Sequence, residues 1–87
     1  MSLNLTNNNN DRIVYVDQHG QKLADSNKVL ANYYNESFAN LQSFKNAIAG
    51  KSGSIIEVVN GTKMIVFYHP IKFHSTTWAI LLMQREG

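Results

Sequence analysis

The stretch Ser54–His69, "SIIEVVNGTKMIVFYH", most narrows what this chain can fold into. Two apolar runs flank Asn60-Gly61, and a two-residue hairpin turn needs positive φ at both central positions, which Asn and Gly tolerate best. An antiparallel hairpin is therefore expected, with Pro70 ending its second strand because proline cannot donate to a ladder. Met64, Val66 and Tyr68 point one way and Ile65 and Phe67 the other, while Trp78, Ile80 and Leu82 alternate with Ala79, Leu81 and Met83. Strands apolar on both sides are central strands that want cover on both faces.

The remaining elements fall around this unit. "RIVYVD" has β-branched and aromatic residues over strand length, and "DQHGQ" places a glycine for a tight turn into "KLADS", so a first hairpin is expected. Asp25 to Asn35 reads as a loop with a short helix capped by Ser26, weakened by its asparagines. Phe38, Leu41, Phe44 and Ile48 recur at helical spacing, with Ser37 as N-cap and Gly50 where a left-handed C-cap belongs, which predicts a helix over 38–49. "TWAILLMQ" supplies the last strand. The order is strand, strand, helical segment, then a three-strand meander, best satisfied by an α+β domain with five antiparallel strands and helices packed on one face. The second face would need a preceding helix or a partner subunit.

Composition excludes several classes. Eighty-seven residues make one domain, expected over 11–85 behind a frayed leader at 1–10. Met1 to Leu3 and residues 86–87 read as cloning scars, so a natural polypeptide would continue on both sides and a membrane anchor could lie there. Eight Lys and Arg against six Asp and Glu, with no basic run, argue against a nucleic-acid partner. Without cysteine there is no disulfide, thiolate ligand or Cys nucleophile. No apolar run reaches the length of a membrane span.

"RIVYVDQHGQKLADSN", "SFKNAIAGKSGS", "VVNGTKMIVFYHPIK" and "TTWAILLMQ" together resemble the Cache (PDC) domains, extracytoplasmic PAS-like sensors of membrane histidine kinases and chemoreceptors. An apolar-apolar-Asp-x-x-Gly hairpin is matched by Val16, Asp17 and Gly20, and a Phe-x-x-Ala-x-x-Gly-x-x-Gly helix exit by Phe44, Ala47, Gly50 and Gly53. A hairpin into a strand ending at proline is matched by Gly61 and Pro70, and a closing strand opening with Trp by Trp78. The resemblance covers Arg12 to Gln84. It implies a PAS-like (profilin-like) sheet outside the cell, on a long N-terminal helix rising from one span, with the last strand leading to a second. It further implies that the helix-to-strand corner walls a small pocket whose solute shifts sheet against helices. Family members that bind amino acids use Arg and Trp on the helical side and a closing Asp on the sheet. Here no arginine lies between Arg12 and Arg85 and no Asp follows Asp25, so that site carries over to no residue.

Enzyme motifs are absent: there is no G-x-S-x-G elbow, H-E-x-x-H or phosphate-binding G-x-x-x-x-G-K-[ST], and no catalytic role or cofactor is expected. His19 sits in a turn away from His69 and His74, and two histidines fall short of the three or four ligands zinc prefers, so no metal site is expected. Candidate pocket residues are Tyr33, Tyr34, Phe44, Lys45, Tyr68, His69 and Trp78, since polar-tipped aromatics shape cavities and Lys45 could pair with a carboxylate. The competing reading puts those aromatics in the core and Lys45 in solvent. Asn4, Asn35 and Asn60 begin glycosylation sequons, which chance also produces in an Asn-rich chain.

The expected function is therefore an extracytoplasmic signal-input domain, binding a small solute such as an organic acid and working as a homodimer in a full-length receptor held in the membrane by flanking segments. The alternatives are a spacer of the same fold that binds nothing, as in the membrane-proximal half of a double sensor, and a cytoplasmic regulatory adaptor.

Overall fold

The structure, a computed structural model, describes residues 11–32 and 36–86. The expected leader at 1–10, the candidates Tyr33 and Tyr34, and Gly87 lie outside the described residues. Five strands form one antiparallel sheet: β1 (Arg12–Val16), β2 (Lys22–Asp25), β3 (Gly53–Val59), β4 (Thr62–Lys72) and β5 (Thr77–Arg85), in spatial order β2-β1-β5-β4-β3. The last strand in sequence lies at the centre. Among the described residues one helix, α1 (Gln42–Ile48), packs across β3, β4 and β5, and one 3-10 turn (Leu30–Asn32) follows β2. This is the expected α+β PAS-like fold.

Both hairpin turns form for the reasons the residues suggest. Asn60 (φ 52°) and Gly61 (φ 81°) join β3 to β4 with Val59 opposite Thr62. In the first hairpin the Asp17 carboxylate accepts the backbone N–H groups of His19 and Gln21 at 2.8 and 2.9 Å. Gly20 has φ 86°, and a Cβ there would come within 2.7 Å of the Ala39 backbone, because the chain leading to α1 crosses directly over this turn. The Phe38 N–H donates to the Gly20 carbonyl at 2.8 Å, which pins the crossing.

Three expected boundaries move. The helix starts at Gln42 rather than near Phe38, and Ser37 does not cap it: its hydroxyl accepts the Ala39 N–H at 3.3 Å in a preceding turn. The cap comes from β3, where the Glu57 carboxylate accepts the N–H groups of Gln42 and Ser43 at 2.9 and 3.0 Å. Seven residues are too few for a helix to persist alone, so this cap and the burial of Phe44 and Ala47 hold it in place. Its exit is as expected: Gly50 (φ 93°) donates to Ala47 and Lys51 to Asn46, the paired bonds of a Schellman motif. After β2, Asn27 rather than Ser26 organises the turn by accepting the N–H groups of Val29 and Leu30, while Ser26 binds the β1 backbone at Ile13. Lastly, β4 runs through Pro70 to Lys72. β3 ends opposite Tyr68, so farther along that flank of β4 has no strand to receive a hydrogen bond and the missing N–H is harmless.

The sheet has two unlike faces. Towards α1, Val14 and Val16 of β1, Leu81 and Met83 of β5 and Val66 of β4 are fully buried against Phe38 and Phe44. Each such side chain contributes roughly 1.5–3 kcal/mol by leaving water. On the other face the register sets Tyr15 opposite Ile80 and Phe67 opposite Leu82, and among the described residues no helix or loop covers them. The expectation that both faces are apolar holds, with cover supplied to one.

Gly20→Ala adds a methyl group at a left-handed position pressed against backbone. It should cost at least about 2 kcal/mol, read as a lower midpoint in urea unfolding, whereas Gly61→Ala, open on all sides, should cost about half as much.

Candidate functional site

At one end of the covered face, four charged side chains converge where the β1–β2 hairpin meets the segment crossing to α1. Arg12 lies on the same side of β1 as Val14 and Val16, and strand alternation therefore carries its guanidinium into the interior. There it grips two carboxylates at once. Its Nε and Nη2 donate to Asp25 at 3.0 and 2.6 Å, and its Nη1 and Nη2 donate to Glu36 at 3.2 and 2.7 Å. Lys22 Nζ reaches Asp25 at 2.9 Å and Glu36 at 3.1 Å, and also donates to the Leu30 carbonyl. Asn60, from the β3–β4 turn, donates its amide to Glu36 at 3.0 Å. The Arg12 guanidinium further lies 5.6 Å from the ring centroid of Phe38.

Two cations and two carboxylates balance in charge, and the pattern of partners explains why they tolerate burial. Asp25 is fully shielded, its side chain 0% exposed, while Glu36 is the most open member at 14%. Burial alone would push the Asp25 carboxyl up; hydrogen bonds from Arg12, the Asn27 N–H and Lys22, with the Arg12 charge, outweigh it and bring the carboxyl down to about 2. Glu36 is likewise lowered: burial opposes, and hydrogen bonds from Arg12, Asn60 and Lys22 prevail. Burial works against the charged form of Arg12 also, but its bonds to Asp25 and Glu36 raise its pKa overall.

The geometry defines a carboxylate cradle. Arg12, Lys22 and Asn60 direct their donors at one carboxylate, and the group lying in it belongs to the chain's own Glu36. Glu36 sits at the start of the crossing segment that inserts Phe38 into the core and continues into α1. On α1, the Ser43 hydroxyl is fully buried and has no hydrogen-bond partner among the described residues.

Of the pocket residues expected from sequence, the five that the structure describes do not meet in one place. Phe44 is part of the core and Lys45 is exposed on the outer side of α1. Tyr68 faces α1, its hydroxyl so close to Gly53 that a Cβ there would lie 2.9 Å away. His69 and Trp78 follow the opposite alternation and lie on the uncovered face, His69 bonding Ser52 Oγ through Nδ1 at 2.8 Å and Trp78 standing edge-on to Phe73. The sheet itself separates the two sets, so they cannot line a common cavity. His19 and His74 are exposed in separate turns, and among the described residues no three metal-ligating side chains gather. Missed from sequence were Arg12, Lys22, Asp25 and Glu36, although one signal was available: Arg12 shares its alternation with Val14 and Val16.

No family model matches the sequence, and no curated protein does either. Among solved structures, a domain of an HTR-like protein from Haloarcula marismortui ATCC 43049 is similar in fold. It has a TM-score of 0.68 and 18% identity, over 88% of this chain and 98% of that one.

Because the Asp25 carboxyl titrates lower in the folded protein than in the unfolded chain, the folded state favours its ionised form. The resulting stability is complete above pH ~4 and is lost as pH falls through about 2. Asp25→Asn should remove on the order of 2 kcal/mol at pH 7 and flatten the decline of the unfolding midpoint between pH ~4 and ~2, followed by circular dichroism.

Proposed function

We propose that this chain is the signal-input module of a membrane receptor, of the sensor histidine kinase or chemoreceptor type, and that it detects a small organic acid outside the cell. The fold neighbour from an HTR-like protein is consistent with a signalling domain, and the resemblance to Cache sensors supports the finer assignment. The observation that carries the reading is the carboxylate cradle: two buried cationic donors and an exposed amide trained on a carboxylate that stands at the entry to the connection between sheet and helix.

In this reading the chain works by exchange of one carboxylate for another and performs no catalytic step. An arriving carboxylate takes the Arg12, Lys22 and Asn60 donors, so the charge balance with Asp25 is preserved while Glu36 swings to solvent. The swap keeps the buried cations paired, which avoids the several kcal/mol that an uncompensated buried charge would cost. Released from Glu36, the crossing segment and α1 gain a second arrangement relative to the sheet, and a solute that prefers it shifts the population. β5 lies beneath α1 at the sheet centre and, by the Cache resemblance, would lead on towards the membrane.

A second reading, the spacer that relays without binding, is favoured by the completeness of the same network and by the filled core around Phe38 and Phe44. Thermal melting with acetate, succinate and citrate, each against sodium chloride at equal ionic strength, separates the two. A binder at 100 times its dissociation constant gains about 2.7 kcal/mol by mass action. Glu36→Gln, which removes the competing charge, should respond at lower concentrations than the native chain, and Arg12→Met should not respond. Identical melting in carboxylate and chloride for the native and Glu36→Gln proteins would favour the spacer.

A further inference from the structure

Asn60 holds one contact of the ion cluster and is also the one asparagine of the chain that is followed by glycine. That neighbour gives it a chemistry of its own. An asparagine side-chain amide can be attacked by the backbone nitrogen of the next residue, and glycine, with no Cβ to crowd the approach, hinders the attack least. Both residues are exposed, both have positive φ, and a Cβ built on Gly61 would meet no atom within 4 Å. The hairpin ladder pairs Val59 with Thr62, and Gly61 stands outside it. The turn has room for a ring to close and for water to reach it.

We infer that Asn60 is a site of spontaneous deamidation, gated by its bond to Glu36, and that the product weakens the ion cluster. The Gly61 nitrogen bonds to Asn60 Cγ and gives up its proton as the Cγ–Nδ2 bond breaks, and the amide nitrogen leaves as ammonia. Water then opens the cyclic imide. Hydrolysis at Cγ restores the main chain and leaves an aspartate; hydrolysis at the main-chain carbonyl leaves an isoaspartate. No oxidant or cofactor enters the balance. The gate is the Asn60 Nδ2 bond to Glu36 at 3.0 Å, which a charged acceptor makes stronger than a neutral one would. Cyclisation must turn Cγ onto the Gly61 nitrogen, so that bond has to open first.

The product exchanges a donor for a negative charge. Where an amide met Glu36, a carboxylate faces a carboxylate, and the two cations Arg12 and Lys22 then answer three anions. Asp25 is fully shielded and Glu36 is the most open member, so Glu36 is the group displaced. An isoaspartate also adds a methylene to the main chain of the turn, against the register of Val59 with Thr62. None of this depends on whether the cradle takes a solute.

The full chain is held at mildly alkaline pH and digested, and the peptide bearing Asn60 is followed by mass spectrometry for conversion of amide to acid and for isoaspartate. It should convert ahead of every other asparagine in the chain. Glu36→Gln, shown by circular dichroism to be folded, should convert about fivefold faster, the difference between a charge-assisted and a neutral hold. Asn60→Gln, whose longer side chain cyclises poorly, should leave the peptide unchanged. An unconverted Asn60 in the folded chain, under conditions where the chain in concentrated urea converts there, would overturn the site, and equal rates in native and Glu36→Gln proteins would overturn the gate. Asn60→Asp reproduces one product directly: it should lower the urea midpoint of the native chain and leave that of Glu36→Gln unchanged or higher. Equal losses in both backgrounds would overturn the displacement of Glu36.

Discussion

The guanidinium of Arg12 is the group around which the rest of this small domain is arranged. It lies on the strand alternation that delivers Val14 and Val16 to the core, so it cannot leave the interior without turning the strand over. A buried cation must be paired, and the pairs come from three places in the chain: Asp25 on β2, Glu36 on the crossing segment and, through Glu36, Asn60 in the β3–β4 turn. These attachments draw together parts of the chain that the sheet ladder alone leaves apart, since β2 lies on one margin and β3 on the other. The net stabilisation of such a network is small against its desolvation cost, yet removal of any one member leaves a charge stranded. Its contribution is therefore chiefly to specify one arrangement.

That arrangement determines how the few apolar residues are used. With Glu36 fixed, Phe38 is delivered beside Arg12, and the short α1 can settle over β4 and β5 with Phe44 and Ala47 as the apolar residues buried from its own length, beside the buried Ser43. Thin cover suffices on this side because the fully buried strand residues already supply most of the core. The opposite side receives nothing from the described chain, and the domain is left with one finished surface and one with large apolar side chains exposed.

Much of this architecture was legible in the residues. Asn60-Gly61 and the Asp17-to-Gly20 turn each impose local backbone conformations that few other residues satisfy, and the structure follows them. The alternation in β4 and β5 was readable for the same reason, since period two is local. What escaped the reading was non-local. The start of α1 is set by Glu57, fifteen residues from Gln42, and no helix-capping pattern in sequence points to a strand residue. The ion cluster joins positions 12, 22, 25 and 36, whose spacing carries no recognisable motif, although the place of Arg12 in an inward-facing row marked it as a residue needing partners. The aromatic candidates were drawn together by residue type, whereas the sheet divides His69 and Trp78 from Phe44 and Tyr68 by parity alone.

The anchoring of α1 by Glu57 has one further consequence. A helix whose opening amides are held by its own residues can slide along its axis and carry its cap with it. Here the anchor stands on a marginal strand, so any axial movement of the coil leaves two N–H groups facing nothing and a carboxylate without its donors. Sliding of the helix along its axis is thereby opposed at its first turn, independently of the packing of Phe44 and Ala47 farther along.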